Sequence, residues 1–261
     1  MASLAETLWS QTIPLHITHP SQPNNPFVTN LPRFSYLALL LPRLSAFFHD
    51  ADTPISSFHH EDLLLRNLPL GLLVDLYSPP LPWRLTVGDG PSWDMADTFL
   101  NGVKEADFTR YGTAKRIMSL SKADTSTLWH AVQDNDHAAF ARISAHLLDA
   151  PTPLRNIPLR LYIPSTAAAA AAAGGPSVAP GAFRVLQAPV PPRHPSTPRQ
   201  PQRLGHVLRA LLPALFPSSR DPVLAAVVLH GAPVPFSAPV EDLMREAAYP
   251  DGWLCLIVVP L

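Results

Sequence analysis

The chain has 261 residues, of which 47% are hydrophobic and 15% are charged, so it can bury a core and is not a disordered protein. Lys and Arg total 19 and Asp and Glu total 20, and the net charge of -1 argues against a general polyanion-binding protein. The single cysteine, Cys255, excludes an internal disulfide and a multi-cysteine zinc site. The chain shows no signal-peptide pattern and no apolar run of ~18 residues. We therefore expect a soluble protein of a reducing, intracellular compartment.

The first ninety residues predict a short helix followed by alternating strands and helices. In residues 2–10 the side chains of Leu4, Leu8 and Trp9 fall on one helical face. Residues 13–17 alternate apolar and other side chains, which predicts a strand. The further expected elements are strands over 33–36, 63–66 and 83–87, a helix over 37–48, and a short helix or turn over 70–77.

The middle of the chain is predicted to be helical. Apolar side chains recur at helical spacing in residues 92–108, and residues 114–120 favour a second, shorter helix. Asp124 is a suitable N-cap for one long helix over residues 125–148, which Pro151 ends.

The last third repeats the element order of the first. Residues 223–229 are almost wholly apolar, which favours a central strand of a sheet. Two low-complexity inserts interrupt this part: a poly-Ala segment within 165–180, and a Pro-rich segment over 189–202 that we expect to be an extended loop. The expected elements are strands over 157–163, 183–187, 223–229 and 253–259, and helices over 203–215 and 240–247.

The two ends share one order: strand, strand, helix, strand, short helix, strand. That order is typical of a ubiquitin-like β-grasp module. The sequence therefore predicts an α+β protein with two such modules flanking a helix-rich region. The expected divisions are an N-terminal helix over 1–10, a first module over 11–90, the helix-rich region over 91–151 and a second module over 152–261.

Catalytic and metal-binding motifs are missing from the sequence. It lacks a nucleophile elbow, a helical zinc motif and the glycine-rich loops that bind phosphate, so a small hydrolase is disfavoured. His59 and His60 are adjacent and would alternate sides in a strand. His130, His137 and His146 are seven and nine apart, whereas a helical metal pair needs a spacing of four. We expect no metal, no cofactor and no catalytic residue.

Short segments along nearly the whole chain carry a resemblance to a known family. In the centre they are VKEAD over 103–107, KRIMSL over 115–120 and the pair Leu128-Trp129. The flanking segments are LPRL over 41–44, PLGLLVDL over 69–76, LPW over 81–83, IPLR over 157–160 and YPDGWL over 249–254. Together, in this order, they resemble the autophagy protein 5 family.

The resemblance implies a specific role for one lysine. In the family, a central lysine accepts the C-terminal glycine of the ubiquitin-like autophagy protein 12 through an isopeptide bond, and its position in the motif is that of Lys104. Taken alone, Lys104 would be a solvated charge near a helix end. The chain has only three lysines, Lys104, Lys115 and Lys122, all within 19 residues. Arg cannot replace lysine as a nucleophilic amine, because its guanidinium stays protonated.

The family's partners follow from the same resemblance. The conjugate binds a helix of autophagy protein 16 and, like an E3 ligase, promotes transfer of autophagy protein 8 to phosphatidylethanolamine during autophagosome assembly. E1-like and E2-like enzymes act on it transiently. The implied location is the cytoplasm, peripheral on the isolation membrane, with no nucleic acid partner. The alternative is an unconjugated ubiquitin-like adaptor that binds a partner helix and joins a membrane-associated complex.

Further site candidates concern the helix and the membrane. Leu4, Leu8 and Trp9 either anchor the partner helix in a groove between the modules and the N-terminal helix, or pack inside the chain. Arg43 is a second candidate for that contact. Lys115 and Arg116 resemble a family position linked to membrane contact, and basic groups near anionic lipid contribute ~1 kcal/mol each.

Overall fold

A computed structural model describes residues 3–49, 53–91, 94–149, 152–165 and 182–261. Apart from Ser165, the poly-Ala insert predicted over 165–180 lies outside these ranges. Within them, two five-stranded sheets flank a group of helices, and a third, two-stranded sheet lies in the C-terminal part. No helix in the described ranges is both long and apolar enough to cross a lipid bilayer.

The first module is a mixed β-grasp sheet in the order β2-β1-β5-β3-β4. Its central pair, β1 and β5, is parallel, and the other pairs are antiparallel. Alternate residues of β1 and β5 point into a core that includes Leu15, Ile17 and Trp83. After α1 (Leu4–Ser10), the elements are β1 (Thr12–His19), β2 (Gln22–Pro32), a 3-10 turn (Leu37–Leu40), α2 (Leu41–Phe47), β3 (Ser57–His60), β4 (Leu63–Leu64), α3 (Leu70–Tyr77) and β5 (Trp83–Gly88).

Strand β2 corrects the prediction of a strand over residues 33–36. Those residues form a turn, and the second strand comes earlier, where the sequence is polar and contains Pro23, Pro26 and Pro32. An edge strand tolerates proline at positions whose N–H would point away from the neighbouring strand, because no hydrogen bond of the sheet is lost there. The prediction also missed β3, and β4 proves to be only two residues of the strand expected over 63–66.

The described part of the helical region, residues 94–149, contains four helices, where three were predicted. The predicted long helix over 125–148 is wrong: it is two helices that contact each other and are separated at Asn135, which has a left-handed φ of 57°. Ser121, not Asp124, caps the first of them, and the Asp136 carboxylate caps the second. The elements are α4 (Met95–Tyr111), α5 (Lys115–Ser119), α6 (Lys122–Gln133) and α7 (His137–Leu148).

The second module has the sheet order β11-β10-β12-β6-β7, with β12 and β6 parallel. The apolar strand β10 is next to the short edge strand β11, so β12 rather than β10 is central. The Pro-rich segment over 189–202 is not a plain loop, because it ends β7 and then forms a hairpin. The elements are β6 (Ile157–Pro164), β7 (Phe183–Val190), β8 (Arg193–His194), β9 (Thr197–Pro201), α8 (Leu204–Leu211), β10 (Ala225–Leu229), β11 (Ala232–Pro233), α9 (Val240–Ala247) and β12 (Leu254–Pro260).

One hydrophobic core joins the three parts. It contains Phe34, Tyr36 and Leu72 from the first module, together with buried side chains of α4 to α7 and of both faces of the second sheet. A polar contact lies beside it: Arg33 forms a buried ion pair with Asp75, and its Nε donates to Nδ1 of His230 at 3.3 Å. The two modules are therefore held against each other by both apolar and polar contacts.

Candidate acceptor surface around Lys104

Lys104 lies in the middle of α4, not near its end as predicted. Asp94 caps this helix by accepting a hydrogen bond from the backbone N–H of Asp97 at 3.0 Å. The Lys104 side chain is half-buried, and its Nζ donates to Oδ1 of Asn101, one turn earlier, at 3.3 Å. The amine lies on an open depression whose lining residues are Lys104, Glu105, Phe108, Thr109, Gln187 and Trp253.

Arg160 on β6 organises the layer beneath this depression. Its guanidinium donates to Glu105 Oε2 at 2.9 Å and to Asp251 Oδ2 at 3.4 Å, and lies 4.0 Å from the ring centre of Trp253. With its amide oxygen turned toward Arg160, Gln187 accepts two further bonds of 2.7 and 2.9 Å. A guanidinium that bonds several acceptors through different N–H groups and stacks on an indole ring holds its partners in a defined orientation. The second sheet thereby fixes the helical turn that carries Lys104.

Close backbone approaches complete the attachment of α4. The indole N–H of Trp253 donates to the carbonyl oxygen of Gly102 at 3.2 Å, and Arg110 donates to the carbonyl oxygen of Gly252 at 2.7 Å. Gly252 has φ +85°, which glycine adopts at little cost. A Cβ atom there would lie 2.3 Å from Arg110 Nη2. The turn before β12 is thus built around the helix that presents the lysine.

Burial shifts the titration of the acidic groups below the surface. Desolvation raises the pKa of Asp251 above its ordinary value, and the positive charge of Arg160 opposes that shift. Burial also raises the pKa of the Cys255 thiol, which disfavours the reactive thiolate. In the described ranges no three His, Cys, Asp or Glu side chains are grouped so that they could hold a metal ion. The arrangement presents an amine at the surface of a rigid helix.

The N-terminal helix packs partly inside the chain. Leu8 and Trp9 are each 5% exposed, and the Trp9 ring lies 4.9 Å from the Phe140 ring and 5.4 Å from the Phe34 ring. Of the two alternatives for these side chains, internal packing is what the structure shows. Leu4 is 52% exposed and remains available to a partner.

A cavity of about 370 Å³ lies beside α1. Trp9 forms part of its wall with Phe140 of α7, Met244 of α9 and Tyr249. The expected groove lies between both modules and the N-terminal helix, whereas the described lining of this cavity comes from α1, the helical region and the second module. Two residues of α1, Ala5 and the predicted anchor Trp9, line it.

The remaining candidates lie on separate surfaces. Arg43 is exposed on α2, with its guanidinium 5.3 Å from the centre of the Phe27 ring. Lys115 is exposed on α5. Arg116 is instead engaged within the chain, since it donates to the carbonyl oxygen of His146 at 3.2 Å and lies over the Tyr111 ring.

Sequence reasoning did not identify the residues that support Lys104. Arg160 and Asp251 lie within the segments IPLR and YPDGWL that carried the resemblance, but they are 91 residues apart. Only the parallel pairing of β6 with β12 brings them together. Gln187 had no sequence signal at all.

Comparisons with known proteins decide the family. Three family descriptions match the chain: "Autophagy protein ATG5, UblA domain" over residues 8–88, "Autophagy protein ATG5, alpha-helical bundle region" over 94–150, and "Autophagy protein ATG5, UblB domain" over 156–258. The chain belongs to the autophagy protein 5 family. The resemblance and the expected α+β arrangement of two ubiquitin-like modules around helices are confirmed.

Relatives of this family match along almost the whole chain. Autophagy-related protein 5 of Neurospora crassa is 62% identical over 267 residues, covering 100% of this chain and 72% of the relative. Autophagy protein 5 of Pyricularia oryzae is 64% identical over 259 residues, covering 99% of this chain and 81% of the relative. The crystal structure of Kluyveromyces marxianus Atg5 has a TM-score of 0.73 at 21% identity, covering 97% of this chain and 98% of that one, which supports the fold. Membership in the autophagy protein 5 family gives the protein a role in autophagy.

Proposed function

We propose that this protein is a conjugation scaffold of autophagy, which accepts autophagy protein 12 through an isopeptide bond at Lys104. The observation that carries the proposal is the placement of the Lys104 amine on an open depression of a helix held rigid by the Arg160 contacts. A lysine on an anchored helix approaches a partner's active site with little loss of orientational freedom.

The bond-forming step assigns little chemistry to this chain. The neutral Lys104 amine attacks the carbonyl carbon of the donor glycine, which an E2-like enzyme holds as a thioester. The C–N bond forms, the C–S bond breaks, and the sulfur leaves with the electron pair as a thiolate on that enzyme. Only the unprotonated amine is nucleophilic. The side chain that accepts a hydrogen bond from Nζ is the amide of Asn101, which is not a base, so the E2-like enzyme supplies the proton acceptor.

A partner helix from autophagy protein 16 is proposed for the cavity beside α1. Exposed Leu4 lies on the helix that walls this cavity, and the ring of Trp9 provides a rigid apolar side. Amphipathic helices bind such concave apolar surfaces through residues spaced one turn apart. The helical region would thus contact both partners: autophagy protein 12 is joined to α4, and the partner helix lies against α7 as well as against the N-terminal helix α1.

The assembled complex is proposed to act like an E3 ligase in transferring autophagy protein 8 to phosphatidylethanolamine. This chain contributes no catalytic residue of its own in that step, and needs no cofactor. Its location would be the cytoplasm and, peripherally, the isolation membrane. Exposed Lys115 is better placed than Arg116 to contact anionic lipid, because the Arg116 guanidinium already has protein partners.

Conjugation can be tested with the purified E1-like and E2-like enzymes and autophagy protein 12. Peptide mapping of the product should find one branched Gly–Lys linkage, at Lys104. Lys104→Arg should remove the conjugate while leaving the thermal unfolding curve unchanged, because the half-buried charge is retained. Lys115→Arg and Lys122→Arg are matched controls, and both should form the conjugate as the wild type does. A conjugate that survives Lys104→Arg would refute the assignment to Lys104, whereas a wild-type chain that forms no conjugate at all would favour the unconjugated adaptor.

A further inference from the structure

Strand β7 is an open edge of the second sheet. Among the described strands it pairs only with β6, at the end of the order β11-β10-β12-β6-β7. It passes the Lys104 depression, since Gln187 of β7 lines that depression. An open edge presents unpaired N–H and C=O groups and is a ready template for another strand.

The direction of each backbone group on β7 follows from the register. Hydrogen-bonded and non-bonded pairs alternate in an antiparallel ladder. Ser165 N–H donates to the carbonyl oxygen of Ala182 at 2.8 Å, so the next pair, Pro164 with Phe183, is non-bonded, as the missing proline N–H requires. Every second pair from there is also non-bonded: Tyr162 with Val185, Arg160 with Gln187 and Pro158 with Pro189.

It follows that Phe183, Val185 and Gln187 direct their N–H and C=O groups away from β6, toward the open edge. The next outward-facing residue is Pro189, which has no backbone N–H and cannot donate a hydrogen bond. The edge is therefore a donor and acceptor ladder from Phe183 to Gln187, about 13 Å long at ~3.3 Å per residue, which ends beside Lys104. The Val185 side chain is 41% exposed along it.

From this geometry we infer that the extended C-terminal segment of the donated ubiquitin-like protein adds to the second sheet as a strand alongside β7. The inference rests on the proposed function and specifies how its donor is held. The tail must end in a glycine carbonyl at the Lys104 amine, which lies at the Gln187 end of the ladder. A tail that pairs from Phe183 onward and finishes at Gln187 satisfies this condition, so it runs parallel to β7.

Strand addition suits a tail whose side chains vary. Main-chain hydrogen bonds give affinity, while the side chains contribute specificity only where they meet a surface. Here the nearest such surface is the depression on the sheet face beside Gln187, which Trp253 and the 60% exposed Phe108 also line. The donor's last residues would lie over this depression as the new bond forms.

Amide hydrogen exchange tests the inference directly. In the unconjugated chain, the amides of Val185 and Gln187 should exchange rapidly, whereas those of Leu186 and Ala188, which face β6, should be protected. In the purified conjugate, Val185 and Gln187 should become protected as well. Unchanged exchange at both residues in the conjugate would overturn the inference, and so would protection before conjugation, because the edge would then already be filled.

A proline scan gives a kinetic test. Val185→Pro removes one outward N–H and leaves the β6 pairing intact, so the apparent KM for the charged E2-like enzyme should rise about fivefold with kcat unchanged. Val185→Thr, which keeps the N–H, should behave as the wild type. Val28→Pro is the matched control, because Val28 on edge strand β2 also directs its N–H outward. The register shows this: Arg33 N–H donates to the carbonyl oxygen of Gln11, and bonded and non-bonded pairs alternate from there. The pairs Pro14 with Asn30 and His16 with Val28 are therefore non-bonded.

The two proposals fail in different ways. If the wild type forms no linkage at Lys104, the proposed function fails, whatever binds at the open edge of β7. If the linkage forms and Val185→Pro conjugates with wild-type KM, only strand addition fails. Circular dichroism and unfolding curves of both proline variants confirm that each is folded before its kinetics are read.

Discussion

The imidazole of His230 should make the protein lose stability as the pH falls below neutrality. His230 follows β10 with φ 52°, its Nδ1 accepts from Arg33 Nε at 3.3 Å, and its Nε2 donates to the carbonyl oxygen of Ala247 at 2.9 Å. The charged groups that face it are Arg33 and, through the ion pair, Asp75. A proton on Nδ1 would turn the acceptor of Arg33 into a second donor. Neutral His230 is therefore required by the native contacts.

The magnitude follows from the pKa of this group. Burial, reinforced by the nearby Arg33 charge, lowers the pKa of His230 to about 4, although the Ala247 contact acts in the opposite direction. The ordinary pKa of histidine is ~6.5. Between these values the unfolded state binds a proton that the folded state does not. The free energy of unfolding should fall by about 1.4 kcal/mol per pH unit, and by ~3 kcal/mol in all, as the pH drops from 6.5 to 4.

The assay is urea unfolding at several pH values between 4 and 7.5, on the wild type and on His230→Asn. Asparagine tolerates a positive φ, and its side-chain oxygen can accept from Arg33 in place of Nδ1. The variant should be less stable at pH 7, because the bond to Ala247 is lost. Other acidic groups titrate equally in both proteins, so the difference between the two stabilities isolates His230.

The wild-type advantage should be constant above pH 6.5 and shrink steadily toward pH 4. Parallel stability curves for the two proteins over the whole range would refute the reasoning. They would mean that the imidazole has the same proton affinity in the folded and unfolded states.

Two further substitutions test local geometry. Gly252→Ala should lower the free energy of unfolding by ~2 kcal/mol or more, because a left-handed φ is combined with a Cβ only 2.3 Å from Arg110 Nη2. Gly231→Ala is the comparison, at φ +79° with the nearest atom 3.6 Å from the added Cβ. Its free energy of unfolding should fall by only ~1 kcal/mol in the same urea assay, the cost of the left-handed backbone alone. Equal losses in the two variants would contradict the steric argument. Asp136→Ala should cost ~1 kcal/mol by removing the bond from Ala139 N–H that caps α7, and an unchanged melting curve would show that the cap is dispensable.

The sequence predicted the β-grasp modules where apolar side chains repeat with a clear period. β1 and β5 alternate their buried side chains, and β12 is buried along most of its length. β2 was missed because its pairing comes from β1 and not from its own composition. The break at Asn135 was missed because helical periodicity continues across it, and only the left-handed backbone of that residue separates α6 from α7.

The candidate site divides in the same way. Lys104 was found through the resemblance, since its immediate surroundings on α4 are those of an ordinary helix lysine. The Arg160 contacts join residues from α4, β6, β7 and the turn before β12, and such long-range groupings have no local sequence signal. For the N-terminal helix, periodicity gave the apolar face of Leu8 and Trp9, but only the packing shows that this face is covered by the chain itself.

The contact of Arg33 with His230 has a consequence for synthesis on the ribosome. Arg33 and Asp75 emerge together with the first module, but the imidazole and the Tyr249 ring that shield them are translated more than 150 residues later. Until then the guanidinium of Arg33 and the carboxylate of Asp75 stay hydrated, and this surface of the nascent first module is exposed to solvent. The first module acquires its final stability only after His230 and Tyr249 have been translated and have packed against it.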